Sequence, residues 1–126
     1  MYYFQKYIGD RMLKSTTIGG VLAYASSFTS GEKGVILVNR NTLAETVNIT
    51  LQNATAGTKF YWYTLTGGSD NGEFSSKVYV NGNGPTEPTG GPSATYTSIN
   101  ANSALTSGGI NVAVPARSAV YLVIDK

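Results

Sequence analysis

The chain has 126 residues, 41% hydrophobic and 11% aromatic, with nine Lys plus Arg against seven Asp plus Glu and a formal net charge of +2. It contains no His and no Cys, which removes the usual proton shuttle near neutral pH, the strongest common nucleophile and any disulfide. Lys and Arg are spread from Lys6 to Lys126 without the basic stripe of a nucleic-acid binder, and no apolar run approaches the ~20 residues of a membrane-spanning helix.

At this length a single domain over residues 1–126 is expected, large enough to hold a core without metals or staples. Met1-Tyr2-Tyr3-Phe4 lacks the basic start and apolar stretch of a signal peptide, and reads as a cut inside a longer protein. The aromatic run Tyr2 to Ile8 stops at Gly9-Asp10 and fits a short helix or an edge strand equally. Arg11 to Thr17 and Val21 to Ala25 read as strands, and Thr29 to Gly34 as a turn. Val35-Ile36-Leu37-Val38 is the most apolar strand of the first half, expected to be buried on both faces. Thr46 to Leu51 alternates, with Val47, Ile49 and Leu51 on one face and Asn48, Thr50 and Gln52 on the other, as in a half-buried antiparallel strand.

Lys59 to Thr66 is an aromatic strand centred on Phe60-Tyr61-Trp62-Tyr63. From Gly67 to Gly109 the chain turns to Gly, Asn, Ser, Pro and Thr. A structureless connection of that length is uncommon in a compact domain, so short strands are expected near Lys77–Val80 and Tyr96–Ile99, with an ordered loop around Asn81 to Pro85. Ile110 to Val114 and Ser118 to Asp125 close the chain as strands, and Pro115, which cannot donate to a ladder, belongs at a strand end. About seven to nine short strands and no long helix describe an all-β fold, an antiparallel β-sandwich.

Three segments in this order carry a resemblance: Tyr2 to Arg11 (YYFQKYIGDR), Val21 to Asn39 with its LVN ending, and Pro115 to Ile124 (PARSAVYLVI). Together with Val80 to Pro85 and Gly90-Gly91-Pro92, they resemble the C-terminal β-sandwich accessory domains of modular glycoside hydrolases, including agarase-like and related polysaccharidases. The resemblance implies that residues 1–10 are a remnant leaving a preceding catalytic barrel. It also implies a secreted or cell-surface parent enzyme, with polysaccharide and the catalytic domain of the same chain as partners. The catalytic carboxylates of such enzymes lie on the barrel, so no catalytic residue carries over.

The residues themselves point the same way. Glycoside hydrolysis needs two carboxyl groups about 5 to 9.5 Å apart in one cleft, whereas Asp10, Glu32, Glu45, Asp70, Glu73, Glu87 and Asp125 fall mostly in turns or at strand ends. Asp70 and Glu73 form an oxygen-rich loop that reads either as a Ca²⁺ site or as a hairpin turn at Asn71-Gly72, and the turn is the simpler reading. Otherwise no cofactor is implied. Asn48 and Asn53 begin Asn-x-Thr triplets, acceptors only in a eukaryotic secretory setting.

The aromatic strand is the main ligand candidate, because sugar rings pack on flat aromatic side chains. Alternation puts Tyr61, Tyr63 and Leu65 on one face, expected to be core, and Phe60, Trp62 and Thr64 on the other, expected to face outward. Trp62 and Phe60, followed by Tyr79 and Tyr96, are therefore the candidate glycan contacts, against a plainer reading in which each packs on protein. Tyr3, Phe4 and Tyr7 are expected to cover a barrel or sandwich face. The function expected is a non-catalytic, glycan-binding module. The alternatives are a purely structural domain that stabilises a glycoside hydrolase barrel, or an adhesin-type surface domain.

Overall fold

A strand apolar on successive residues needs cover on both faces, and Val35, Ile36 and Leu37 receive it at 5%, 2% and 1% exposure. The computed structural model describes residues 2–13, 21–51, 55–67, 77–84 and 91–126, the side chains of Tyr2, Phe4 and Gln5 excepted. These residues form a helix α1 (Tyr2–Tyr7) followed by strands β1 (Arg11–Leu13), β2 (Val21–Ser27), β3 (Lys33–Asn39) and β4 (Glu45–Ile49). The remaining strands are β5 (Lys59–Thr66), β6 (Tyr79–Val80), β7 (Asn102–Leu105), β8 (Ile110–Val114) and β9 (Ser118–Ile124). A seven-stranded antiparallel sheet runs β1-β2-β3-β9-β5-β6, with β7 also on β5, and β4 pairs with β8 in a second, two-stranded sheet. The expected antiparallel sandwich is thus present, with very unequal layers.

The first core lies between the two sheets. Val120, Leu122 and Ile124 of β9 meet Val35 and Leu37 of β3, Phe60 of β5, and Ile110, Val112 and Val114 of β8. The strict alternation of β9 and β8 produces this layer, since every second side chain points inward. The inward row of β4, Val47 and Ile49, packs on the same core together with Leu51, as the alternation predicts, while Asn48 and Thr50 are exposed.

A buried amide fastens the small sheet to the large one. Asn39, 1% exposed at the end of β3, donates through Nδ2 to the carbonyls of Leu43 (2.9 Å), Val114 (3.1 Å) and Pro115 (3.2 Å). Its Oδ1 accepts the Asn41 N–H at 2.9 Å. Pro115 sits between β8 and β9, at the strand end its chemistry requires.

The opposite face of the large sheet carries a second core of tyrosines. Tyr3 and Tyr7 of α1 pack with Tyr63, Val80, Tyr121 and Val123, with ring centroids 4.9 Å apart for Tyr3–Tyr63 and 5.8 Å for Tyr3–Tyr121. Burial pushes the Tyr121 hydroxyl pKa up. The first run is therefore a helix, and Tyr3 and Tyr7 cover this protein's own sheet. The helix lies close because position 34 is Gly: a Cβ there would stand 2.3 Å from the Tyr7 carbonyl oxygen. Gly9 N–H donates to Ser26 Oγ at 2.7 Å and fixes the exit from the helix.

Two expectations in the Gly67–Gly109 region change. Tyr96–Ile99 is not a strand: Tyr96–Ser98 is a 3₁₀ turn. Ser and Thr supply local bonds instead of a ladder, with Tyr96 N–H on Ser93 O at 3.0 Å and Ser98 Oγ on Thr95 O at 2.9 Å. The strand falls a few residues later, at Asn102–Leu105, an exposed edge held by its register with Lys59–Trp62. Lys77–Val80 does contribute β6, together with an isolated bridge from Lys77 to Gly91.

Candidate functional site

The aromatic strand β5 lies between β9 and the sheet edge, and side chains of both its faces pack on protein, Phe60 and Trp62 in the first core and Tyr63 and Leu65 in the second. Phe60 opposes Ile124 and Trp62 opposes Leu122, which places both on the sandwich side. Tyr63 opposes Tyr121 and faces the helix side. The outward orientation expected for Phe60, Trp62 and Thr64 is therefore corrected: that face is the main core. Phe60 is 2% exposed and Trp62 is partly buried against the same cluster. Their rings stack with centroids 5.2 Å apart and an interplanar angle of 24°. Phe60 is thus closed to a ligand, and Trp62 is the partly exposed member of the pair.

Tyr79 is partly buried, and its register partner is Thr66. Cross-strand partners share a face, so Tyr79, Thr66, Thr64, Trp62 and Phe60 all lie on the sandwich side. The Tyr79 ring rests on Gly84, where a Cβ would stand 2.5 Å from its Cε1. Tyr96 is on the other side of the sheet, 6.3 Å from Tyr3 between ring centroids, and its carbonyl accepts the Tyr3 hydroxyl at 2.7 Å. Three of the four candidate aromatics thus share one face, and the fourth belongs to the tyrosine core. Among the described residues, the exposed large hydrophobics are Met12, Tyr24, Leu43 and Leu105.

The edge of β5 holds a feature that the sequence reading did not single out. Lys59–Trp62 pair with β7 and Leu65–Thr66 with β6, which leaves Tyr63 and Thr64 between them. Asn81 fills the gap. Thr64 N–H donates to Asn81 Oδ1 at 2.8 Å, Asn81 N–H donates to Thr64 O at 2.9 Å, and Asn81 Nδ2 donates to Asn100 O at 3.0 Å. The Tyr63 hydroxyl donates to the neighbouring Ile99 carbonyl. The available signal was the dipeptide Asn81-Gly82, which favours a two-residue turn.

Of the seven acidic candidates, Asp10, Glu32, Glu45 and Asp125 fall among the described residues. Asp70, Glu73 and Glu87 lie outside the described residues, as do the Asn71-Gly72 turn and Asn53. Among the described residues no group of three or more Asp or Glu is placed to hold a metal. Asp10 accepts the hydroxyl and backbone N–H of Thr29, and these bonds hold its carboxyl below the usual carboxylate range. Glu32 is lowered chiefly by the Ser30 hydroxyl. A general acid needs a pKa shifted upward. Asn48 is exposed on the outer face of β4, with its Nδ2 on Asn111 Oδ1 at 2.8 Å. No described helix is long and apolar enough to cross a membrane.

No family model and no curated protein matches the chain. Solved structures do. An arabinose-bound GH51 α-L-arabinofuranosidase is similar at TM-score 0.66 and 14% identity, over 98% of this chain and 18% of that one. A GH family 44 endoglucanase from Clostridium thermocellum follows at TM-score 0.61 and 19% identity, over 94% and 19%. A GH30 endoxylanase from Clostridium papyrosolvens C71 gives TM-score 0.59 and 17% identity, over 98% and 26%. At these identities the likeness is one of fold, and the chain spans only about a fifth to a quarter of each of these structures.

Proposed function

We propose that the chain is a non-catalytic β-sandwich module of a secreted polysaccharide-degrading enzyme, and that its role is to pack against and steady the catalytic domain of the same parent chain. One observation carries this reading: the aromatic strand is turned into protein on both faces. The fold likeness supports it, since nearly all of the chain corresponds to a minor part of three kinds of glycoside hydrolase. The absence of His and Cys and the lowered pKa values of Asp10 and Glu32 support a non-catalytic role. The reading calls for no cofactor, nucleic acid or membrane.

A second reading, glycan binding, draws on the shared face of Trp62 and Tyr79, both partly buried beside Thr64 and Thr66. Hydroxyls flanking partly exposed rings are the chemistry a sugar would use. Calorimetric titration with agar-, xylan- and glucan-type oligosaccharides separates the two readings. The packing role predicts no heat with any of them. Saturable heat that disappears in Trp62→Ala would replace it with the binding role. Turnover of any polysaccharide by the purified chain would overturn both.

A further inference from the structure

Asn81 and Gly82 are the central residues of a tight turn, with φ of 49° and 82°. Val80 and Asn83 exchange both backbone bonds across it, at 3.0 and 2.9 Å. The Gly82 N–H donates to no described residue, Gly82 is exposed, and, its two chain neighbours apart, no heavy atom of a described residue lies within 4 Å of where its Cβ would stand. Asn-Gly is the pairing most open to intramolecular attack, because no side chain shields the glycine nitrogen. We propose that Asn81-Gly82 is a deamidation site, held in check by the clamp on Thr64 and Asn100, and that its reaction releases the edge of β5.

The Gly82 nitrogen loses its proton to solvent and attacks Asn81 Cγ. The new Cγ–N bond closes a five-membered succinimide, the Cγ–Nδ2 bond breaks, and the side-chain nitrogen leaves as ammonia. Water then opens either carbonyl of the ring to give aspartate or isoaspartate. The net change is one water consumed and one ammonia released, without oxidation or reduction. Oδ1 and Nδ2 are both engaged, on Thr64 N–H and Asn100 O, so Cγ turns toward Gly82 only when the clamp opens. Reaction removes the Nδ2 donor and sets a carboxylate oxygen against the Asn100 carbonyl. Isoaspartate also adds a methylene to the backbone and breaks the Val80–Asn83 pairing.

Asn83-Gly84 is an internal control. It is the same dipeptide, but its glycine lies beneath the Tyr79 ring. The folded protein is aged in mildly alkaline buffer, in parallel with a denatured sample, and isoaspartate is mapped by peptide mass spectrometry. The expected result is modification at Asn81 ahead of Asn83 in the folded protein, with the two rates converging in denaturant. Tyr63→Phe removes the bond to Ile99 beside Asn100 and should raise the Asn81 rate several-fold while leaving Asn83 unchanged. Asn81→Asp, which mimics one product, should lose hydrogen-exchange protection at the Asn81 and Asn83 amides but keep it in β3 and β9. Asn83 reacting first in the folded protein, an Asn81 rate unchanged in Tyr63→Phe, or unaltered protection in Asn81→Asp would each overturn the proposal.

Discussion

Replacing Asn39 tests whether one buried amide fastens the two sheets. Its Nδ2 is shared among the carbonyls of Leu43, Val114 and Pro115, and its Oδ1 takes the Asn41 N–H. Asn39→Ala strands these backbone groups and leaves a small void. With each intramolecular hydrogen bond contributing roughly 1 kcal/mol and buried orphan groups costing about 1–3 kcal/mol, a loss of about 2–4 kcal/mol is expected. Urea unfolding followed by tryptophan fluorescence reads it as a lower midpoint with an unchanged slope. Asn39→Asp sharpens the test, because the shape is kept while a carboxylate faces three carbonyl oxygens. Its folded pKa is driven up by burial and by those oxygens. The variant should therefore approach wild-type stability in acid and lose it as pH rises through the raised folded pKa. A midpoint within about 0.5 kcal/mol of wild type for Asn39→Ala, or no pH dependence specific to Asn39→Asp, would refute the reasoning.

Gly34→Ala places a methyl group 2.3 Å from the Tyr7 carbonyl oxygen. The helix must shift, at a cost of about 1–3 kcal/mol, and near-UV circular dichroism should show the tyrosine core loosening. Asp10 is fully exposed, and its pKa is lowered by the bonds from Thr29. Its contribution is present above its ordinary value of 3.8 and is lost as pH falls through the lowered folded value. Melting temperatures across the acid range should therefore decline less steeply in Asp10→Asn than in wild type.

Periodicity made much of this fold legible. The continuous run in β3 and the alternation of β4 each follow from how many faces the strand buries. Which face of β5 would be core was not legible. Thr64 suggested an exposed side, but alternation fixes only the period and not the layer on top. Here β4 and β8 cover one side and α1 covers the other. Strand β7 escaped notice because Asn102-Ser103-Ala104 has little β preference of its own and pairs through the backbone of β5. Asn39 read only as the end of a segment and Asn81 as part of a loop, and only long-range contacts reveal them as clamps.

Denaturant unfolding of Trp62→Ala bears most directly on the inward packing of the aromatic strand. Trp62 stacks on buried Phe60 and touches the main core. Truncating a large core aromatic costs about 3–5 kcal/mol, and the partial exposure of Trp62 brings the expected loss below that range, to about 2–3 kcal/mol. A clear drop in midpoint of that size is the predicted result. Wild-type stability in the variant would contradict the inward packing of Trp62.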